Sequence, residues 1–172
     1  GYSPSPQERQ SWLQISYMKE AYHTMGPKFT LGWMAEALYS SKNFSENYTA
    51  TMMQAGEFAP TPHSKLMYNE AFRANQYVAA GIKPIYVLND MFQFRTEFYG
   101  FTPIFPIKKN ALNKAYYGKA FSRFEYMGEV SVICHLPFGA ISAYVNHYSS
   151  PRREWNVGMT IGWQLFNYRF VQ

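Results

Sequence analysis

From Trp155 to Leu165 the chain alternates strictly. The odd positions read Trp155, Val157, Met159, Ile161, Trp163 and Leu165, and the even ones Asn156, Gly158, Thr160, Gly162 and Gln164. Successive side chains of an extended strand point to opposite faces. This segment is therefore expected to be a strand with one wholly apolar face and one small or polar face. At about 3.3 Å per residue and a tilt near 45°, Trp155 and Trp163 stand roughly 19 Å apart along a barrel axis. That is slightly less than the separation of two aromatic belts around a hydrocarbon layer.

The same device recurs upstream. Phe29, Leu31, Trp33, Ala35, Ala37 and Tyr39 share one face, opposite Thr30, Gly32, Met34, Glu36 and Ser40. Between Gly128 and Leu136, Val130, Val132, Cys134 and Leu136 oppose Glu129, Ser131, Ile133 and His135. Pro137-Phe138-Gly139 then makes a tight turn, and the chain returns with Ile141, Ala143 and Val145 on one face and Ser142, Tyr144 and Asn146 on the other. The polar stretch from Ser149 to Arg153 leads into the last strand. Further strands are expected over 10–24, 45–58, 72–83, 84–101 and 115–127, with loops at 59–69 and 102–113. The first of these could instead be a helix, because Ser5-Pro6-Gln7-Glu8 reads as an N-terminal cap. Short turns alternating with longer polar connections are what outer-membrane barrels show.

Composition narrows the field. The 172 residues suffice for one domain. Aromatics reach 19% and charged residues only 16%, against about 25% charged in typical globular proteins. Mean hydropathy is nevertheless −0.34, and no apolar run approaches the ~18 residues of a spanning helix. Such a balance suits a barrel with one greasy and one wet face, in a membrane or in solution. The net charge of +5 comes from scattered basic residues, which read as loop charges rather than a nucleic-acid surface. The N-terminal Gly1-Tyr2-Ser3-Pro4-Ser5-Pro6 lacks the features of a signal peptide.

Chemistry-bearing motifs are few. There is no G-x-S-x-G elbow, Walker loop, G-x-G-x-x-G or H-E-x-x-H. His23, His63, His135 and His147 are far apart in sequence, and no metal or other cofactor is expected. His135 and His147 fall on the two strands of one hairpin and could approach each other. Cys134, the lone cysteine, sits on an apolar face and rules out an intrachain disulfide. Asp90, Gln93, Arg95 and Glu97 form the densest polar cluster within a strand, and in the register that turns Tyr86, Leu88, Phe92 and Phe94 out, Asn89, Gln93, Arg95 and Glu97 are expected to point inward. A lipid-facing Arg costs about 2–4 kcal/mol at mid-depth, so Arg95 should face the interior and pair with Glu97 or Glu36. Asp90 interrupts this alternation and marks a bulge or strand end. Asn43-Phe44-Ser45 and Asn47-Tyr48-Thr49 match the glycosylation triplet, which counts only in a secreted eukaryotic protein.

Several segments together resemble a known family. They are Asn47-Tyr48-Thr49-Ala50-Thr51, the stretch from Phe58 to Lys65, the stretch from Phe72 to Gly81, the hairpin from Cys134 to Ile141, and the ending from Gly162 to Phe170. Over most of 25–172 the chain resembles the C-terminal surface-antigen barrel of Bacteroidetes patatin-like phospholipases. The resemblance implies an outer-membrane barrel that anchors, and helps export, an N-terminal lipid acyl hydrolase. That hydrolase uses a Ser in G-x-S-x-G and an Asp followed by Gly. Here Asp90 is the only aspartate and Met91 follows it, so no catalytic residue carries over and this segment is not itself expected to be an enzyme. The family's last strand ends on an aromatic read by the barrel-assembly machinery. Phe170, followed by Val171-Gln172, is the expected insertion signal.

The expectation is therefore one all-β domain over 1–172, with 1–24 as a possible lead-in segment. It is an antiparallel up-and-down barrel of about eight strands, or the C-terminal half of a larger transmembrane barrel. Phe29, Trp33, Tyr39, Trp155 and Trp163 should form a lipid-facing girdle, and Glu36, Arg95, Glu97 and Gln164 a polar lumen. The expected partners are outer-membrane lipid, the assembly machinery and the attached hydrolase, with no nucleic acid. A soluble barrel with the apolar face turned inward around a greasy ligand is the alternative.

Overall fold

The computed structural model describes residues 11–137, 139–150 and 155–163. Seven long strands form one antiparallel sheet: β1 (Gln14–Thr24), β2 (Phe29–Ser40), β5 (Gln76–Val87), β6 (Phe92–Pro103), β9 (Glu125–Leu136), β10 (Gly139–Tyr148) and β11 (Trp155–Trp163). They lie side by side in that order, each paired to the next along the chain. The fold is all-β and antiparallel. Among the described residues the sheet is open, with β1 and β11 as unjoined edges, so a closed eight-stranded barrel is not formed there. The segment 14–24 is a strand and not a helix, held to β2 from Gln14↔Ser40 to Thr24↔Thr30.

The connections differ sharply at the two ends of the sheet. Residues 25–28 and 88–91 close tight turns at one end, where Leu136 of β9 also pairs directly with Gly139 of β10. At the other end, 41–75 carries helix α1 (Tyr48–Gln54) and the small ladder β3 (Gly56–Glu57) with β4 (Arg73–Ala74). The connection 104–124, at that same end, carries the hairpin of β7 (Ile107–Lys109) and β8 (Ala115–Tyr117).

Four expectations need correction. The strand expected over 45–58 is largely α1: Asn47 caps it, accepting a hydrogen bond from the Ala50 N–H at 2.8 Å, and Tyr48, Met52 and Ala55 form a helical stripe against Ile107. That cap also gives one glycosylation-like Asn a structural role. The boundary expected at Pro84 falls instead at 88–91, with Pro84 inside β5 opposite Leu31. Proline has no N–H to donate, and the β5–β6 ladder skips Lys83 and Pro84. Asp90 does mark a strand end, but Asn89 lies in the same turn rather than pointing inward. Its carboxamide oxygen accepts from the Met91 and Phe92 N–H groups at 3.0 and 2.8 Å. The strand expected over 115–127 breaks after Tyr117, because Gly118 and Phe121, whose φ is +50°, turn the chain before β9.

The core lies where 41–75 folds back over one face of the sheet, called here the inner face. Phe58 packs against Tyr77, Tyr99 and Phe101 with ring centroids 5.8–6.1 Å apart, and Phe72 against Phe101 and Tyr148. All are almost fully buried. Several strand glycines sit directly opposite an aromatic, among them Gly32↔Tyr22, Gly81↔Tyr99, Gly128↔Phe98 and Gly158↔Tyr144. At Gly81 a Cβ would overlap the Tyr99 ring and meet the Phe98 carbonyl at 2.7 Å, so only glycine lets that ring lie flat.

Candidate functional site

Register assigns every strand position to a face. From β2 to β11 the outward positions of the large sheet hold no Asp, Glu, Lys or Arg. Phe29, Trp33, Tyr39 and Trp155 all point outward, and Phe29, Tyr39 and Trp155 are exposed. They are joined by Val78, Ile82, Tyr86, Phe92, Phe94, Phe98, Tyr126 and Val130, also exposed. Cys134 lies on this outward face, half-buried. Among the described residues of the sheet the single outward Lys or Arg is Lys19 on edge strand β1, whose ammonium lies 5.7 Å over the Trp33 ring. The Trp163 side chain, Gln164 and Phe170 lie outside the described residues.

The inner face carries the charges, and they are paired. Arg95 and Glu97, two apart on β6, form an ion pair, and Glu97 also accepts from the Tyr99 hydroxyl. Glu36 does not join them. It accepts from the Tyr77 hydroxyl at 2.6 Å instead. Lys83 is almost buried and reaches across β2 to Glu20 on β1. Two carboxylates of β9 face the same way: Glu125 accepts from Ser149 at 2.6 Å, and Glu129 meets His63.

His63 is the residue most underestimated by its place in the sequence. It comes from the connection 41–75 and stacks on Tyr144, with ring centroids 3.4 Å apart and planes 17° from parallel. Its Nδ1 lies 2.9 Å from Glu129 Oε1 and its Nε2 3.1 Å from Thr160 Oγ1. One imidazole thus pins the connection to β9, β10 and β11 together. The other oxygen of Glu129 and both amide atoms of Asn146, its direct partner in the ladder, are buried without a protein partner among the described residues. Interior polar atoms of this kind cost folding free energy, so the spot is a polar interior rather than a packing core.

The other histidines do not combine. His135 and His147 sit at opposite ends of their hairpin, aligned with Ala140 and Gly128. His147 lies outward between Tyr126 and Trp155, at centroid distances of 5.9 and 4.8 Å. Among the described residues no group of three or more His, Cys, Asp or Glu is placed to hold a metal ion. A cavity of about 360 Å³ lies between the inner face and residues 57–65, its walls divided between charged side chains such as Glu20, Glu36 and Lys83 and apolar ones such as Met18 and Met34.

On the connection 41–75, burial and the Glu70 carboxylate push the Tyr48 hydroxyl well above its ordinary pKa, so it stays protonated as a donor to Glu70. The same segment is tied by Arg73, which pairs with Glu57 at 2.5 Å and donates to the Met53 carbonyl at 3.1 Å. It is thus a folded plug over the inner face, with an aromatic core at Phe58 and Phe72 and polar ties around it.

No helix among the described residues is long and apolar enough to cross a membrane, which says nothing of strands. Compared with known proteins, the chain matches no family model, no curated protein and no solved structure.

Proposed function

We propose that this chain is the wall of a bacterial outer-membrane β-barrel that anchors, and helps export, an N-terminal lipid acyl hydrolase of the patatin type. The observation that carries the membrane half is the segregation of charge. Outward strand positions from β2 to β11 are free of Asp, Glu, Lys and Arg, while inward Glu20, Lys83, Arg95, Glu97 and Glu129 meet one another or other polar groups. Water tolerates charge on both faces of a sheet, whereas hydrocarbon penalises it on one. Tight turns at one end and long connections at the other agree with this reading. The hydrolase half rests on the resemblance of 25–172 to the barrel region of such enzymes. The open edges β1 and β11 suit part of a larger barrel, whose remaining strands would cover them.

A soluble ligand-binding barrel would turn its apolar face inward. Here 41–75 fills the charged face and leaves the apolar face bare, so nothing favours that alternative.

The test is partitioning of the expressed chain, read by heat-modifiable mobility on a gel, alongside two substitutions. Ile161→Arg puts a charge on the outward face and should block insertion into vesicles. Ser142→Arg adds the same charge to the inner face and should be tolerated. A chain that stays soluble without detergent, or equal effects of the two arginines, overturns the proposal.

A further inference from the structure

The connection 104–124 has a charge unlike any other part of the molecule. It contains Lys108, Lys109, Lys114, Lys119 and Arg123 and no Asp or Glu. The turns at the far end of the sheet carry Lys28 and Asp90, which cancel. Arg123 is committed to structure, donating to the Ala71 carbonyl at 2.7 Å and facing Glu125 at 3.7 Å. Lys108, Lys114 and Lys119 are exposed and form no ion pair among the described residues.

Between these cations stand exposed apolar side chains. Leu112 is 78% exposed at the hairpin tip, Phe121 61% and Phe124 65%. The hairpin is not loose. Ile107 is buried against Met52 and Ala55, Asn113 accepts from the Tyr48 N–H at 2.8 Å, and the Asn110 side chain closes the tip by accepting from Leu112 and Lys114. Lys108 and Tyr116 are cross-strand partners on its open side, and Phe121 is held with φ at +50°. A bulky aromatic in left-handed backbone is unusual and persists only where its surroundings impose it. Phe124 then lies over the outward glycine of β6: a Cβ on Gly100 would meet its ring at 3.0 Å. The basic segment therefore runs directly into the apolar outward face.

We infer that the connection 104–124 binds the phosphate-bearing headgroups of the lipid leaflet at the long-connection end of the barrel. Lys108, Lys114 and Lys119 meet the phosphates, and Phe121 and Phe124 enter the acyl boundary beside them. Exposed lysines interspersed with exposed apolar side chains along one connection match an anionic amphiphile, whose phosphate and hydrocarbon adjoin in the same way. The adjoining outward face would sit in that leaflet, so this inference rests on the membrane reading proposed above.

The experiment uses the full chain in a neutral detergent, with binding of phosphatidylglycerol and of phosphatidylcholine compared by native mass spectrometry. The expected result is a preference for phosphatidylglycerol that falls by about five-fold for each lysine replaced in Lys108→Gln, Lys114→Gln and Lys119→Gln, and weakens with salt. Lys28→Gln, at the other end, should leave it unchanged. Equal binding of the two lipids, or a preference that survives the triple substitution, overturns the inference. Inorganic phosphate competing as well as the lipid also overturns it, since the acyl boundary would then contribute nothing. A chain that needs no detergent yet keeps a lysine-dependent preference would sink the membrane reading and leave the basic surface standing, so the two failures are distinct.

Discussion

The two long connections leave the same end of the sheet and are both rich in aromatics, yet they spend them in opposite ways. In 41–75, Phe58 and Phe72 are each 1% exposed, seated among Tyr77, Phe101 and Tyr148. In 104–124, Phe121 and Phe124 stay in the open beside unpaired lysines. The first connection also brings carboxylates and a histidine to match the charged inner face. The second brings cations alone and runs to the apolar outer face. Composition is thus a poor guide to what a loop does, and the face it meets decides.

The largest break of this contrast should come from Phe72→Ala, which empties a packed site and should cost about 3–5 kcal/mol, whereas Phe124→Ala should stay within about 0.5 kcal/mol. Urea unfolding in detergent, followed by tryptophan fluorescence, reads both; similar losses would mean that the second connection is also core. Next comes His63→Ala, expected to cost roughly 1–2 kcal/mol through the lost Glu129 contact and Tyr144 stacking. Limited proteolysis within 59–69 should speed up accordingly, and an unchanged cleavage rate would show that the imidazole is not what pins the plug. The smallest effect belongs to Phe121→Gly. Relief of the left-handed backbone and the added freedom of the unfolded chain are each about 1 kcal/mol and of opposite sign. The melting temperature should barely move, and a clear fall would identify Phe121 as a packing residue.

Much of the sheet could be read from the chain because period-two alternation is unambiguous when one face tolerates no charge. Phe29 to Ser40 and Trp155 to Trp163 are strands, and Arg95 pairs with Glu97 two positions along β6. The same parity that sends Val78, Ala80 and Ile82 outward sends Lys83 inward, so its burial is equally legible in the sequence. Helix α1 was harder, since its few residues also allow an extended reading and only the Tyr48, Met52, Ala55 spacing behind Asn47 speaks for helix. The role of His63 could not be read locally. Its partners Glu129, Tyr144 and Thr160 are far along the chain and meet it only because the connection folds back.

The glycine–aromatic partners described above also act as proofreaders of alignment. Antiparallel strands can slide, and a slip of one residue exchanges the faces of everything downstream. In this sheet a slip between β5 and β6 would lay Tyr99 over a neighbour that bears a side chain, where no flat seat exists. It would also turn Arg95 and Glu97 out toward the bare apolar side. Similar locks occur between β1 and β2, between β6 and β9, and between β10 and β11. Mispairing is thus opposed twice, by shape within about one residue and by charge across the whole face.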